Sequence, residues 1–330
     1  MYTDYSKLNI ILLGNGQEWL EYSWKGALYR YHNIHLFNSI LPDLGSKVLN
    51  KICRFFFSKK ISKIPFKRVF YPYIANAIGL QKSVSLQLVF YDFGILSRDL
   101  SFVEYIKKEY PNVFLIYRFT NIVLISRAKL SGYLTQLTGL FDLVLAFDKL
   151  DEGNYGFHYL PLVYTADIKH NTGIEYDLFY VGHAKDRLEI LLDIFEKANN
   201  EGLKCLFYIF GVDQNRQKYS DIIKYNQKID YLFVLDCISK SKALVDAIQG
   251  NSTGFTIKNC EAICLDKKLI STNHSLKEMP FYNNNNILVY NGDVSIKEFI
   301  NKPFTAYTEK DKYYFSAEQF MDCVMERCEL

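Results

Sequence analysis

The sequence predicts an α/β protein built from two doubly wound, Rossmann-like domains that face a cleft. In both halves of the chain, short apolar runs alternate with amphipathic stretches, and this alternation is typical of parallel sheets with helices on both faces. A length of 330 residues suits two domains of roughly 100–200 residues each. A polar, glycine-containing stretch at 148–156 separates the two halves, so we predict domains at 1–155 and 156–330.

The N-terminal half contains four apolar runs that predict buried parallel strands. These runs are 8–13, 86–91, 113–117 and 143–147. Helices are predicted over 18–31 and 101–109, the second with Asp99 or Ser101 as its N-cap residue.

The C-terminal half repeats this pattern. The predicted strands are 176–181, 205–210, 243–246 and 269–272. The stretch 186–200 has apolar residues at i, i+3, i+4, i+7 and i+10, which predicts an amphipathic helix that ends near Gly202. Further helices are predicted over 259–267 and 316–327, and we expect the last to pack back on the N-terminal domain.

The composition and the chain's motifs argue against several classes of protein. The apolar runs are much shorter than the roughly 20 residues of a membrane-spanning helix. The N-terminus lacks the basic-then-apolar layout of a signal peptide, so a cytoplasmic location is expected. The seven cysteines include no C-x-x-C pair, which argues against a disulfide framework and a zinc site. We expect neither a metal nor a cofactor.

Positive charge is concentrated in residues 44–91, which contain nine Lys and Arg residues and no Asp or Glu. Basic residues alternate there with Phe and Ile, and this pattern suits the surface of an anionic membrane. We therefore predict that residues 47–68 contact the membrane. The alternative is a solvated basic face over ordinary core aromatics. Nucleic acid is not expected as a partner, because no recognition motif accompanies the charge.

One candidate binding motif lies at 181–187, between a predicted strand and a predicted helix. Gly182 permits a tight turn and a close backbone approach. The N-terminus of the next helix offers unpaired N–H groups to a phosphate, and Lys185 and Arg187 add positive charge. The alternative is a plain strand-to-helix turn with surface charges.

A second candidate motif lies at 250–262, before the helix predicted at 259–267. Thr253, Gly254 and Thr256 allow backbone and hydroxyl groups to approach a ligand closely, and Lys258 brings a charge to the same loop. Glu261 can accept hydrogen bonds from two hydroxyl groups, such as those of a ribose. Alternatively, Glu261 is a favourable charge in the first turn of a helix.

The N-terminal half offers candidates for acid–base chemistry and for ligand contact. Any carboxylate at a strand end can deprotonate a hydroxyl group, so the candidate bases are Asp92, Glu18 and Glu21. Asp92 is alternatively an ordinary turn residue. Gly14 and Gly16 allow a ligand to approach the backbone, although their spacing is a poor dinucleotide fingerprint. Arg118 follows a predicted strand and is a candidate phosphate contact.

Residues 176–290 resemble bacterial capsule and lipopolysaccharide biosynthesis glycosyltransferases of the GT-B architecture. The similar segments are FYVGHAKDRLEIL, KSKALVDAIQGNSTGFTIKNCEAICLDKKLISTN and FYNNNNILV. The resemblance implies that the C-terminal domain binds a nucleotide-sugar donor, with Lys258 on the diphosphate and Glu261 on the ribose. Lys258 stands where the family pattern has Arg, and Phe255 stands where it has Leu.

The resulting hypothesis is a metal-independent hexosyltransferase. It would move a sugar from a nucleotide-diphosphate donor to a lipid-linked glycan in surface polysaccharide biosynthesis, on the cytoplasmic face of the cell membrane. The sequence shows no clear D-x-D motif, which disfavours a metal-dependent GT-A enzyme. Two alternatives stay open: a nucleotide-sugar epimerase on the same scaffold, and a non-catalytic, membrane-associated component of glycan assembly.

Overall fold

The computed structural model describes residues 4–39, 41–57, 65–123, 131–167, 173–250 and 252–329. The chain forms two compact units. Unit 1 comprises Met1–Leu160 and Glu318–Leu330, and unit 2 comprises Pro161–Ala317. Lys59, Lys60 and Lys63 of the predicted membrane-contacting stretch lie outside the described residues.

Unit 1 contains a six-stranded parallel sheet with the strand order β2-β1-β3-β4-β5-β6. The strands are β1 (Ile10–Leu13), β2 (Ile34–Phe37), β3 (Leu86–Tyr91), β4 (Val113–Arg118), β5 (Leu143–Ala146) and β6 (His158–Tyr159). The helices are α1 (Glu18–Arg30), α2 (Lys47–Phe56), α3 (Tyr71–Ala77), α4 (Ile95–Arg98), α5 (Leu100–Glu109), α6 (Ser131–Leu140) and α7 (Lys149–Tyr155).

Unit 2 contains a second six-stranded parallel sheet, with the order β12-β11-β10-β7-β8-β9. The strands are β7 (Tyr176–His183), β8 (Cys205–Phe210), β9 (Lys224–Tyr225), β10 (Ser241–Asp246), β11 (Lys268–Ser271) and β12 (Ile287–Val289). The helices are α8 (Leu188–Asn200), α9 (Tyr231–Ser239), α10 (Ile257–Cys264), α11 (Ile296–Asn301) and α12 (Glu309–Tyr313). The predicted α/β fold class, with one parallel sheet in each unit, is therefore confirmed.

The central strands are apolar along their whole length because helices cover both faces of a parallel sheet. Every residue of β1, β3 and β5 is buried. In unit 2, α8 buries the predicted apolar stripe, and its Phe195 packs edge-on against Phe207 of β8 with ring centroids 5.3 Å apart. The chain leaves this helix through Gly202, whose φ of 76° lies in the left-handed region that favours glycine.

The strand order reverses direction once in each sheet. In unit 1 the neighbours of β1 are β2 and β3, and in unit 2 the neighbours of β7 are β8 and β10. At such a switch point, the loops that follow two adjacent strands diverge to opposite faces of the sheet and leave a crevice. Ligands of open α/β sheets bind in this crevice, at the carboxyl ends of the strands.

The last helix, α13 (Ala317–Cys328), begins at the final residue of unit 2 and continues within unit 1. Its Phe320 lies edge-on to Trp24 of α1, with ring centroids 5.3 Å apart. Tyr31 donates a 2.6 Å hydrogen bond to Glu318, and Tyr5 donates one of 2.9 Å to Asp322. These contacts attach α13 to the N-terminal elements of unit 1.

Residues 47–56 of the basic stretch form the amphipathic helix α2, which was not predicted from the sequence. Two basic residues outside α2 but within the stretch 44–91 form ion pairs: Lys67 lies 2.7 Å from Asp99, and Lys82 lies 2.9 Å from Glu109. Among the described helices, none is both long and apolar enough to cross a membrane.

Candidate functional site

The switch point of unit 2 brings the two predicted motifs together. The loop at 184–187 follows β7, and the loop at 247–256 follows β10. Arg187 donates from Nη1 to the carbonyl oxygen of Ala247 at 2.7 Å, and Lys185 donates from Nζ to Oε1 of Gln249 at 2.7 Å. The two loops are thus joined by cationic side chains at the carboxyl ends of adjacent strands.

Lys185 is the residue that turns the chain in the first loop. Its φ of 47° lies in the left-handed region, which a non-glycine residue adopts only when its surroundings hold it there. Burial lowers the pKa of its ammonium group, and the nearby Arg187 lowers it further. In the next residue, Asp186 accepts a 3.0 Å hydrogen bond from the backbone of Gly250.

Gly182 does not form this turn, which corrects the reason given for it from the sequence. It lies within β7, and a Cβ there would come within 2.7 Å of the hydroxyl oxygen of Tyr180. The glycine is therefore required by the packing of Tyr180 beneath the loop.

Asp246, which the sequence analysis missed, anchors the second loop. This buried carboxylate ends β10 and accepts hydrogen bonds from Thr256 at 2.9 Å, Asn259 at 3.0 Å and Ser271 at 2.8 Å. Thr256 is also the N-cap of α10, and Asn259 completes its capping box. The predicted ligand residue Thr256 therefore also fixes the start of α10.

Backbone carbonyls in the same loop are held by β11 and the turn that follows it. Asn273 donates to the carbonyls of Thr253 and Gly254, each at 3.3 Å, and Ser275 donates to that of Thr253 at 3.1 Å. The two predicted loop residues Thr253 and Gly254 are thus positioned by hydrogen bonds to their own backbone.

Lys258 and Glu261 form a buried ion pair on α10. Lys258 Nζ lies 2.7 Å from Glu261 Oε2, and Glu261 is fully buried. Tyr231 donates to Glu261 Oε1 at 2.6 Å, and its hydroxyl lies 3.1 Å from that of Tyr164. Burial, followed by the charge of Glu261, raises the pKa of both tyrosines well above the ordinary value. Lys258 and Glu261, the two residues predicted to contact the nucleotide-sugar donor, thus lie together inside unit 2, where their opposite charges pair.

The switch point of unit 1 places the glycine loop beside Asp92. Asn15 donates to the backbone carbonyl of Asp92 at 3.1 Å, which joins the loop after β1 to the loop after β3. Gly16 has a φ of 77° and donates to Asn38 Oδ1 at 3.0 Å. A Cβ at Gly14 would collide with the side chain of Asn38, so this position requires glycine.

Asp92 is the candidate base with a perturbed pKa. Its carboxyl is buried and accepts a short hydrogen bond from the hydroxyl of Thr120. Burial raises its pKa to about 7, although Thr120 and the charges of Arg118 and Arg98 oppose this rise. A general base is most effective when its pKa lies near the working pH, so Asp92 has the property that this role needs.

The other predicted residues of unit 1 lie in different environments. Glu18 and Glu21 are exposed in the first turn of α1, where Glu21 accepts a 3.2 Å hydrogen bond from Asn38. Arg118 is buried and donates from Nη1 to the carbonyl of Ala146 at 3.3 Å, while its Nη2 has no hydrogen-bond partner within the described ranges. Burial lowers the pKa of this guanidinium.

The part of the chain that the structure describes contains no group of three or more His, Cys, Asp and Glu residues able to hold a metal ion. None of the seven cysteines, all of which lie in the described ranges, forms a disulfide bond.

Comparisons with known proteins place this fold among glycosyltransferase structures. No family model matches the sequence, and no curated protein matches it. An α-glucosyltransferase solved with UDP and a 13-mer DNA containing an HMU base has a TM-score of 0.54 at 8% identity, over 96% of this chain and 92% of that one. The apo structure of OtsA has a TM-score of 0.51 at 13% identity, over 97% and 99% of the two chains. These likenesses show that the chain has the GT-B fold.

Proposed function

We propose that this protein is a glycosyltransferase whose unit 2 binds a nucleoside-diphosphate sugar between the loops at 184–187 and 247–256. The observation that carries the proposal is the link from Arg187 to the carbonyl of Ala247 at the switch point. This link places Arg187, together with Lys185 of the same loop, at the carboxyl ends of the strands, where ligands of open α/β sheets bind. The α-glucosyltransferase of similar fold was solved with UDP, which supports the same class of donor.

The loop residues match the needs of a diphosphate leaving group. Negative charge develops on the leaving diphosphate as the glycosidic bond breaks, and fixed positive charge there lowers the barrier. Lys185 contacts the neutral amide of Gln249, so it can exchange this partner for a phosphate oxygen without breaking an ion pair. Arg187 holds the carbonyls of His183 and Ala247 and orients the N-terminus of α8 toward the donor.

Lys258 and Glu261 are proposed to support the other side of the donor, as the resemblance implies. Because Glu261 is fully buried and holds Lys258 and Tyr231, it would contact a ribose only by exchanging one of these partners. When the exchanged partner is Lys258, donor binding would release its ammonium group toward the diphosphate.

Unit 1 is proposed to bind the acceptor, with Asp92 as the base. Its pKa of about 7 leaves a substantial carboxylate fraction at neutral pH, and the backbone of the glycine loop lies beside it. Glu18 and Glu21 are the alternative bases. We propose a hexosyl transfer that needs no metal.

The acceptor is proposed to be a lipid-linked glycan of a bacterial surface polysaccharide. Supporting this, α2 exposes Val48, Ile52 and Phe55 at i, i+4 and i+7, with 67%, 42% and 58% of their surfaces accessible. Exposed Lys47, Lys51 and Arg54 flank them. An apolar stripe with basic neighbours suits an anionic leaflet, so we place the protein on the cytoplasmic face of the cell membrane.

The proposed activity is tested by incubating the full-length protein with a panel of labelled nucleotide sugars and bacterial membrane glycolipid. Transfer of label to lipid, dependent on Asp92, is the expected result. Conversion of the donor alone to another sugar nucleotide would indicate the epimerase instead. Membrane binding without turnover of any donor would indicate the non-catalytic component.

A further inference from the structure

Unit 1 contains a cavity of about 490 Å³ that the proposed transfer reaction does not use. It is lined by residues near the amino ends of the strands: Phe114 is the second residue of β4, Leu143 begins β5, and Phe157 directly precedes β6. Asp92 follows β3 at the carboxyl ends of these parallel strands, so the cavity lies at the opposite edge of the sheet. Its volume is in the range of sites for small ligands.

Aromatic rings form one part of the lining. Phe141 and Phe157 are almost fully buried, and Tyr155 stacks on Phe157 with ring centroids 5.4 Å apart and an angle of 26° between the planes. Phe119 stacks behind Phe157 at 5.6 Å. Phe157 is therefore fixed before any ligand arrives, and the half-buried rings of Phe114 and Tyr155 supply the aromatic surface open to a ligand, at little entropic cost.

Charged and polar groups of both signs form the rest of the lining. Asp142 and Glu152 supply carboxylate oxygens, and each accepts one backbone N–H, from Leu115 at 2.8 Å and Tyr159 at 3.1 Å. Asp142 also accepts from Lys107 Nζ at 3.4 Å. A carboxylate has about four acceptor sites, so both keep capacity for a ligand.

His158 and Arg327 complete the polar lining. Arg327 Nη2 lies 3.0 Å from His158 Nδ1, and because a guanidinium only donates, this ring nitrogen accepts. Burial and the charge of Arg327 lower the pKa of His158, so the imidazole is neutral at pH 7. Its other ring nitrogen then carries a proton that can be donated.

The mixture of charges selects a class of ligand. An anion would meet two carboxylates, and a cation would meet Arg327. A neutral ring with many hydroxyl groups can donate to Asp142 and Glu152, accept from Arg327, and lay its C–H face on the half-buried ring of Phe114 or Tyr155. We propose that this cavity is a binding site for a neutral sugar residue, separate from the nucleotide-sugar site.

Ligand-observed saturation-transfer NMR on the full-length protein tests this. The probes are glucose, galactose, N-acetylglucosamine, maltose and lactose at about 10 mM, since a lone sugar site is expected to have a Kd near 1 mM. Glucuronic acid and glucosamine are the charged counterparts. We expect at least one neutral sugar to bind, the charged sugars to bind about tenfold more weakly, and excess UDP to leave the signal unchanged.

Two variants locate the binding. Glu152→Gln and Arg327→Gln change side chains at the open edge of the cavity, and each is expected to weaken the neutral sugar about tenfold. Glu104→Gln and Lys108→Gln remove charges of the same signs at exposed positions of α5 and should have no effect. Melting temperatures check that every variant is folded.

The proposal is overturned if no neutral sugar in the panel binds, or if a charged sugar binds as tightly as the best neutral one. It is also overturned if UDP displaces the sugar, or if both cavity variants bind like the wild type. The comparison of neutral with charged sugars uses only the wild-type protein. A variant that fails to fold therefore does not affect that part of the test. Failure of every nucleoside diphosphate to bind would contradict the donor proposal and not this one.

Discussion

Arg187 Nη1 donates a 2.7 Å hydrogen bond to the carbonyl oxygen of Ala247, which joins the loop after β7 to the loop after β10. The same side chain also donates to the carbonyl of His183, so one guanidinium fixes both sides of the switch point in unit 2. A lysine cannot hold two carbonyls in this fixed fork. The proposed donor site therefore depends on arginine at this position for shape as well as charge.

Replacing Arg187 should weaken the nucleotide site. Arg187→Ala is expected to reduce the affinity for the nucleoside diphosphate about tenfold to a hundredfold, because charge-assisted hydrogen bonds contribute about 1.5–3 kcal/mol each. Arg187→Lys should fall between this variant and the wild type. The measurement is the rise in melting temperature that the nucleotide produces. Arg216→Ala, at an exposed arginine of unit 2, is the control, and an equal loss there would contradict the account.

Asp246 should act by positioning the second loop. In Asp246→Asn, one carboxylate oxygen becomes an NH₂ group, which cannot accept the hydrogen bonds that Asp246 receives from Thr256 on one oxygen and from Asn259 and Ser271 on the other. We therefore expect a loss of about 1–3 kcal/mol in the free energy of unfolding. The nucleotide KM should rise more than kcat falls, because the loop is displaced and not removed. Urea denaturation and steady-state kinetics measure both effects. Asp213→Asn, at an exposed loop position, should change neither.

The pair of Lys258 and Glu261 allows stability and donor binding to be separated. Lys258→Met alone should cost about 3–5 kcal/mol in the free energy of unfolding, because it leaves a buried carboxylate without its cation. The double variant Lys258→Met with Glu261→Leu should recover much of this stability, since an apolar pair of similar volume replaces the ions. If the pair contacts the donor, the stable double variant still loses nucleotide binding. A folded double variant with wild-type affinity would restrict the pair to a structural role.

Asp92 should give the reaction a pH dependence. With a pKa of about 7, only about a tenth of the base is ionised at pH 6, so kcat/KM should rise about tenfold per pH unit well below 7 and level off above it. Asp92→Asn should lower kcat by about 10²–10⁴ and remove this dependence. A pH profile that is unchanged in the variant would contradict the assignment.

The same raised pKa has a consequence for stability. The folded state holds the Asp92 proton more tightly than the unfolded state does, so this group's stabilising contribution is complete below about pH 4 and is lost as the pH rises through about 7. The stability of the wild type relative to Asp92→Asn should therefore fall between pH 4 and pH 7. Urea denaturation of both proteins across this range measures it.

The exposed stripe on α2 predicts membrane binding. Ile52→Ser with Phe55→Ser should abolish flotation of the protein with phosphatidylglycerol-containing vesicles, and added salt should weaken flotation of the wild type. Each basic residue near an anionic surface contributes about 1 kcal/mol, so Lys51→Gln with Arg54→Gln should reduce binding roughly thirtyfold. Leu232→Ser, at an exposed position of α9 in unit 2, is the matched control. Flotation that survives both pairs of substitutions would exclude α2 as the contact.

Much of the fold follows from local patterns in the sequence. The strands over 86–91 and 205–210 have the predicted bounds because mostly apolar runs between polar turns are sufficient to identify buried parallel strands. The strand β2 was missed since it includes His35 and is only partly buried. The helix α2 was missed because its apolar residues face solvent, so the charge pattern was the only visible signal.

The site was predictable only where its residues are adjacent in the chain. Lys185, Arg187 and Thr256 were predicted as site residues because strand ends followed by small or basic residues are a local signal. Tyr231 and Tyr164 were not predicted, since Tyr231 reaches Glu261 from a distant position in the sequence and Tyr164 contacts Tyr231. The signal for Asp246 was present: an acidic residue ends a buried strand and precedes a loop rich in hydroxyl groups.

Isothermal titration calorimetry of the full-length protein with UDP, GDP, ADP, CDP and dTDP tests the central claim most directly. We predict that at least one nucleoside diphosphate binds at one site per chain, that its nucleoside does not, and that Lys185→Ala weakens the binding about tenfold. If none of the five binds, or if the Lys185 variant binds as tightly as the wild type, the proposed donor site between the two loops of unit 2 is wrong.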